Sequence, residues 1–246
     1  MKPVIYIIRK VKANLVRLKF HIIFKPFSNF FLTLVYISKL SEWVKKTSMP
    51  EFNDFYSKKH DYDKRYDLYN SIIRTENLDE IYFIEFGVAQ GKSIKWWVEN
   101  NKNKNSRFLG FDTFTGLPED WGLFKKGDMS SEGVSPNIQD KRCSFIKGIF
   151  QKTLPPFLRN FKSDLRKVIH MDADIYTSTL FALTLLGPYL KKDDILIFDE
   201  FNVPLHEFKA FTEFTNSFYI KTEVIGTVNN YYQTAFKIVE NLSCCK

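Results

Sequence analysis

The sequence predicts an α/β protein: an open, mostly parallel sheet with helices on both faces, closed by an antiparallel hairpin and preceded by a helical segment. Three observations carry this. From residue 81 onward, short runs rich in Ile, Phe and Val alternate with stretches of helical period. Most of those runs are apolar at nearly every position, as in strands buried on both faces of a parallel sheet. The last two runs are separated by a turn too short to hold a helix, so they pair antiparallel.

In chain order, residues 1–50 mix Lys and Arg with Ile, Leu and Phe at roughly helical spacing and form a basic amphipathic segment. A polar stretch rich in Tyr and Lys, residues 51–67, leads to a helix ending near Asn77, and residues 51–246 make up the main domain. IYFIEFG is the first strand and GKSIKWWVEN the helix after it; RFLGFD is the second strand and CSFIKG a weaker third. RKVIHMD is a fourth strand, followed by the helix TSTLFALTLLGPYL, and DILIFD a fifth, followed by a helix around HEFKAFTEFTN. FYIKTEVIG and YYQTAFKIV form the hairpin around Val228, Asn229 and Asn230. The long connection 113–142 exceeds what joining two elements requires and is a candidate lid.

A chain of 246 residues, 44% of them hydrophobic, can bury one substantial core. The net charge of +8 suggests nucleic acid until it is located. Residues 1–50 hold ten Lys/Arg against Glu42 alone, whereas the remaining 26 Lys/Arg face 27 Asp/Glu. No basic stripe with interleaved aromatics follows residue 50, so a nucleic-acid partner is not expected. Cys143, Cys244 and Cys245 have neither metal spacing nor the pattern of a disulfide framework, which fits a reducing cytoplasm. No small-residue cleavage site follows a clean apolar core near the N-terminus. The longest uncharged run within residues 1–50, residues 26–38, is thirteen residues, short of the ~20 that span a bilayer. Two expectations remain for residues 1–45: peripheral contact with anionic lipid at the inner face of a membrane, or a solvated capping helix or dimer contact.

The chemistry gathers at the ends of strands. In IEFGVAQGKS, Gly87 and Gly91 bracket the turn from strand to helix, where a ligand can approach main-chain N–H groups at a helix N-terminus. Twenty-one residues beyond Gly91, Asp112 ends the second strand, where an acid can take ribose hydroxyls. The motif reads E-x-G-x-x-x-G; Glu85 inside it disfavours a pyrophosphate and suits the amino group of a methionine moiety, so S-adenosylmethionine is favoured over NAD. The alternative is that Glu85 only caps the turn. Further along, Asp172 and Asp174 end one apolar run, and Asp199 and Glu200 end the next; charges placed there lose hydration and need a partner.

Taken together and in order, FIEFGVAQGKS, FLGFDTFTGLPEDW, FIKGIFQKTLP, IHMDADIYTSTL and ILIFDEF resemble the macrocin O-methyltransferase (TylF/MycF-like) family of class I S-adenosylmethionine-dependent methyltransferases, over about residues 65–238. The resemblance implies a Rossmann-like seven-stranded sheet with a reversed last strand. It also implies methyl transfer to a hydroxyl of a sugar or glycan, magnesium or another divalent cation, and a homo-oligomer. Carried onto matching positions, the cofactor contacts fall on Glu85, Phe86, Gly87, Gly91, Ser93, Asp112, Thr113, Phe114, Gly148 and Asp172, and the metal ligands on Asp172, Asp199 and Glu200. The family more often carries Asp-Asp where this chain has Asp199-Glu200; the extra methylene shifts the second ligand outward.

Asp172 is the family's proposed base. His170, two residues earlier on the same strand face, is a rival base or a buried, satisfied histidine, and His206 either faces the acceptor or lies in solvent. Asp174, with Tyr176 and Ser178, is expected to cap the following helix. Trp96 and Trp97 read as core, Trp121 and Phe124 as sugar-facing lid residues. Two rivals stand beside the methyltransferase. A cofactor-free metal hydrolase or hydroxylase-like enzyme leaves Glu85, Gly87, Gly91 and Asp112 without a purpose. A noncatalytic membrane-docked module leaves clustered carboxylates to repel one another.

Overall fold

The computed structural model describes residues 3–242. Seven strands form one sheet in the order β3-β2-β1-β4-β5-β7-β6: β1 Ile81–Phe86, β2 Arg107–Asp112, β3 Cys143–Lys147, β4 Arg166–Met171, β5 Ile195–Phe198, β6 Ile220–Val228 and β7 Gln233–Asn241. β1 to β5 pair in parallel, whereas β7 runs antiparallel to both β5 and β6. This is the predicted Rossmann-like methyltransferase sheet, with the reversal produced by the closing hairpin. The hairpin turn begins one residue later than expected: Val228 ends β6, and Asn229, Asn230 and Tyr231 all adopt left-handed backbone.

The helices are α1 Pro3–Arg17, α2 His21–Lys46, α3 Lys64–Thr75, α4 Lys92–Asn100, α5 Phe150–Asn160, α6 Tyr176–Leu186 and α7 Glu207–Phe218. Helix α5 is absent from the sequence reading because Pro155 and Pro156 fall inside it. Each proline removes a helical N–H donor. Here Phe150, Leu154 and Leu158, four residues apart, are buried against the sheet, and that burial outweighs the missing donors.

Strand side chains alternate between two cores. Ile84, Phe86, Leu109, Ile169 and Met171 pack on the face carrying α5, α6 and α7. Phe83, Phe108, Val168, Ile195 and Ile197 pack on the face carrying α3 and α4. Trp97 lies wholly in the second core and Trp96 packs at its margin, as the sequence suggested. The first helices meet at 108°. Nothing on α1 is buried, and of α2 only Tyr36 is fully buried, with Leu40, Trp43 and Val44 packed against the first core. Cys244 and Cys245 lie outside the described residues.

The order 3-2-1-4-5 reverses direction between β1 and β4. The carboxyl ends of these neighbours open a crevice, the usual ligand position in an open α/β sheet.

Candidate active site

The crevice holds a cavity of about 460 Å³ whose wall combines the glycine loop, the end of β2, the end of β4 and Glu200 after β5. Gly87 makes the closure possible. Its φ is +88°, and a Cβ there would lie 1.7 Å from the Asp172 carbonyl oxygen, so the loops after β1 and β4 touch only because this residue has no side chain. Gly91, at φ +74°, packs against Pro136 of the long connection, whose side chain a Cβ would meet at 2.6 Å.

Asp112 holds the glycine loop in place. One carboxylate oxygen accepts the Val88 and Ala89 N–H groups, each at 2.7 Å, and the other accepts the Phe114 N–H at 2.7 Å. The Thr113 hydroxyl adds only a long 3.5 Å contact to the second oxygen, one that a ligand hydroxyl could replace. Gly87, Ser93, Asp112, Thr113, Asp172 and Glu200 line the cavity, as do Lys92 and Ser178; Phe86, Gly91, Phe114 and Gly148 support that wall without forming it.

Glu85 and His170 are elsewhere. They are register partners on β1 and β4 and project together into the face covered by α3 and α4. Both are buried; His170 Nδ1 lies 2.8 Å from Glu85 Oε1, and Nε2 lies 3.1 Å from the Tyr69 hydroxyl. Burial lowers the His170 pKa to about 4 and raises that of Glu85 well above the usual carboxylate range, with Asp199 adding to the latter. His170 therefore takes the buried, satisfied form, and Glu85 does not line the cavity; its carboxylate faces the Ile94 N–H in the first turn of α4. With Asp172 these residues bring three ligand-type atoms within 4.8 Å of one another, but both ring nitrogens already have hydrogen-bond partners.

The acids after β4 and β5 are crowded. Asp172, Asp174 and Glu200 line the cavity, while Asp199 is buried. Burial first, then the neighbouring acids, raises Asp172 well above its ordinary range, Asp174 to about 7 and Glu200 to about 8. Asp174 has left-handed backbone, and Ile175, not Asp174, occupies the cap position of α6 without any side-chain capping bond. The capping role expected for Asp174 is thus replaced by a place on the cavity wall. His206 precedes α7, half-buried; its Nδ1 accepts a long 3.4 Å bond from the Tyr176 N–H, and its ring meets the edge of Trp121. The long connection is folded: Trp121 stacks on Phe124, Thr177 donates to Glu119 at 2.7 Å, and Met129, Ser130 and Ser131 line the cavity.

Four residues missed by sequence reasoning complete the site. Tyr62 donates to Asp199, with the Arg65 guanidinium 3.9 Å from the same carboxylate. Tyr232 donates to Glu200, and buried Glu207 accepts the Glu200 N–H at 2.9 Å. Tyr62 and Arg65 arrive through the polar stretch before α3, which straps onto the β6–β7 turn by hydrogen bonds from the Ser57 and Asp61 N–H groups to the Asn230 and Asn229 side chains. Long-range pairings of this kind leave no local pattern in the sequence.

The residues fit both groups that the reading implies. For S-adenosylmethionine there is the side-chain-free cradle at Gly87 and Gly91 beside Asp112. For a divalent cation there are hard oxygen donors, including buried Asp199 Oδ1 and Glu200 Oε2, which have no hydrogen-bond partner.

The fold is the one that Rossmann-like methyltransferases share, and its crevice combines a glycine loop, Asp112 and a cluster of acids. Residues 84–201 match the family described as a methyltransferase domain. The calicheamicin methyltransferase CalS11 shares the fold at 17% identity and TM-score 0.54, covering 83% of this chain and 91% of that one. The O-methyltransferase NovP does so at 17% identity and TM-score 0.53, over 87% of this chain and 100% of its own. A second CalS11 structure, described as an apo TDP-rhamnose 3'-O-methyltransferase, aligns at 19% identity and TM-score 0.51 over 71% and 79%. No curated protein matches by sequence.

Proposed function

We propose that this chain is a metal-dependent O-methyltransferase of the macrocin O-methyltransferase type, acting on a hydroxyl of a sugar or glycan. The observation that carries the reading is one cavity bounded on one side by the glycine loop and Asp112 and on the other by Asp172, Asp174 and Glu200. The likeness to CalS11 and NovP supports the sugar and the oxygen acceptor.

Asp112 and the backbone of residues 87–93 would hold S-adenosylmethionine, which supplies an electrophilic methyl group on a sulfonium. Asp172, Asp199 and Glu200 would hold a divalent cation, which when bound supplies a Lewis acid that lowers the pKa of a hydroxyl. The remaining work belongs to the protein. Tyr62 and Tyr232 fix the Asp199 and Glu200 carboxylates by donating hydrogen bonds, and Glu207 fixes the Glu200 backbone. The folded long connection shields the cavity from water and narrows the poses open to an acceptor. Asp172 and Asp174 face the cavity and, once ionised beside a bound cation, would take the acceptor proton.

The test is release of S-adenosylhomocysteine from a panel of nucleotide-linked and free deoxysugars, with Mg²⁺ or with EDTA, on wild type and Glu200→Gln. Turnover with at least one sugar, abolished by EDTA and reduced ~100-fold or more in the variant, is expected. Sugar methylation at an undiminished rate in EDTA would remove the metal from the proposal.

A further inference from the structure

Helices α1 and α2 present an apolar surface that the rest of the molecule does not cover. Every described residue of α1 is exposed, and on α2 every residue before Tyr36 is exposed except the half-buried Ser28 and Thr33. Val16, Leu18 and Ile23 are each more than 70% exposed, and Phe27, Phe30 and Phe31 stand out nearby. The two helices enclose an apolar groove lined by Ile7, Val11, Leu15, Phe20 and Phe24. Soluble chains rarely leave so much contiguous apolar surface in water.

Charge selects the occupant. The segment carries ten Lys/Arg against Glu42 alone, so a second copy would bring one strongly positive surface against another, whereas an anionic leaflet neutralises it. Length sets the mode. On α1 the apolar residues Val4, Ile8, Val11 and Leu15 follow helical spacing, with Lys10 and Lys12 among them and Arg17 after them, the pattern of a helix lying in an interface. On α2 the stretch between Lys25 and Lys39 is uncharged all round, but at 1.5 Å per residue its thirteen residues reach only about 20 Å, less than the ~30 Å hydrocarbon core. Among the described residues no single helix is long and apolar enough to cross a membrane, and α1 and α2 reach that length only as a pair bent by 108°.

We infer that residues 3–35 dock this protein on an anionic lipid leaflet, α1 lying in the headgroup region and the first half of α2 entering the leaflet without crossing it. The anchor is tied to the catalytic end of the sheet. Trp43 on α2 packs against Phe201, the residue after Glu200, with ring centroids 4.9 Å apart, and Tyr36 donates to Glu213 on α7. On the function proposed above, a glycan acceptor carried on a lipid would be presented to the cavity from that surface.

The test is co-sedimentation of the full chain with vesicles of phosphatidylcholine alone and of phosphatidylcholine mixed with phosphatidylglycerol, at low and high salt. Two variants accompany wild type: K10E/K12E/R17E, and I23S/F27S/F30S, all at exposed positions. S-adenosylhomocysteine binding and solution mass are read in parallel. Wild type should partition at least about tenfold better into the anionic vesicles, the charge variant should lose that preference, and the apolar variant should lose binding to both compositions. Equal partition of all three proteins, no partition of wild type, or a wild-type oligomer that the apolar variant dissolves while vesicle binding is absent would overturn the inference. Because S-adenosylhomocysteine binding is measured separately, its loss would count against the methyltransferase reading and not against the docking.

Discussion

The acids at the site are individually unfavourable and collectively informative. Asp174 and Glu200, raised to about 7 and about 8, hold protons in the folded protein that the unfolded chain releases near pH 4. A raised acid contributes stability that is present below its unfolded pKa and is lost as pH rises through the folded value. Metal-free protein should therefore lose several degrees of Tm between pH 5 and pH 8.5 through these two groups. Saturating Mg²⁺ should restore more of that loss at the upper end than at the lower, because cation binding favours the ionised carboxylates. Differential scanning calorimetry across that range reads the effect, and a Glu200→Gln variant should show a flatter profile. A Tm that rises steadily with pH in the presence of EDTA would show that the cluster is not desolvated. Sequence showed the acids themselves, since each ends an apolar run. It did not show which side chains steady them: Tyr62 and Arg65, Glu207, and Tyr232 come from three separate segments.

Elements were legible in proportion to how far local pattern and burial agree. β2 matches its predicted run end to end, and β1, β4 and β5 match within a residue or so, because each is an apolar run bounded by charge or glycine. Helix α5 was hidden by Pro155 and Pro156, since its formation depends on a sheet surface that sequence does not display. Side-chain direction was also hidden where a polar residue faces inward. Glu85 in the glycine motif suggested a ligand contact, but strand period puts it on the face of Phe83, opposite His170. At the far end of the sheet, buried Lys167 and Asp194 pair at 2.9 Å, and Asp194 also accepts the Lys167 and Lys191 N–H groups. Removing one partner strands a buried charge, so Asp194→Ala should cost about 3–5 kcal/mol in urea unfolding. Since this pair lies outside the cavity wall, S-adenosylhomocysteine affinity of the folded variant should be unchanged.

At the scale of the whole molecule, two kinds of surface are separated along the chain. A nearly neutral remainder carries the cavity, and a strongly basic, apolar pair of helices stands off it, joined through Tyr36, Leu40, Trp43 and Val44. That division was visible in sequence as a charge imbalance confined to residues 1–50. The 108° bend and the docking of α2 beside α7 were not, because both depend on contacts with distant residues such as Phe201, Phe208 and Phe236. The cavity binds the molecule's parts into one chemical proposal, and its glycine-loop side is the half on which the rest depends. The most direct measurement is isothermal titration of S-adenosylhomocysteine into wild type and Asp112→Ala, with and without Mg²⁺, after circular dichroism has confirmed that the variant is folded. Wild type should bind at one site per chain, and the variant should bind at least about 100-fold more weakly, having lost both the ligand acceptor and the anchor of the Val88 and Ala89 N–H groups. Binding of equal strength in the two proteins, or none in wild type, would contradict the assignment of this cavity to the cofactor.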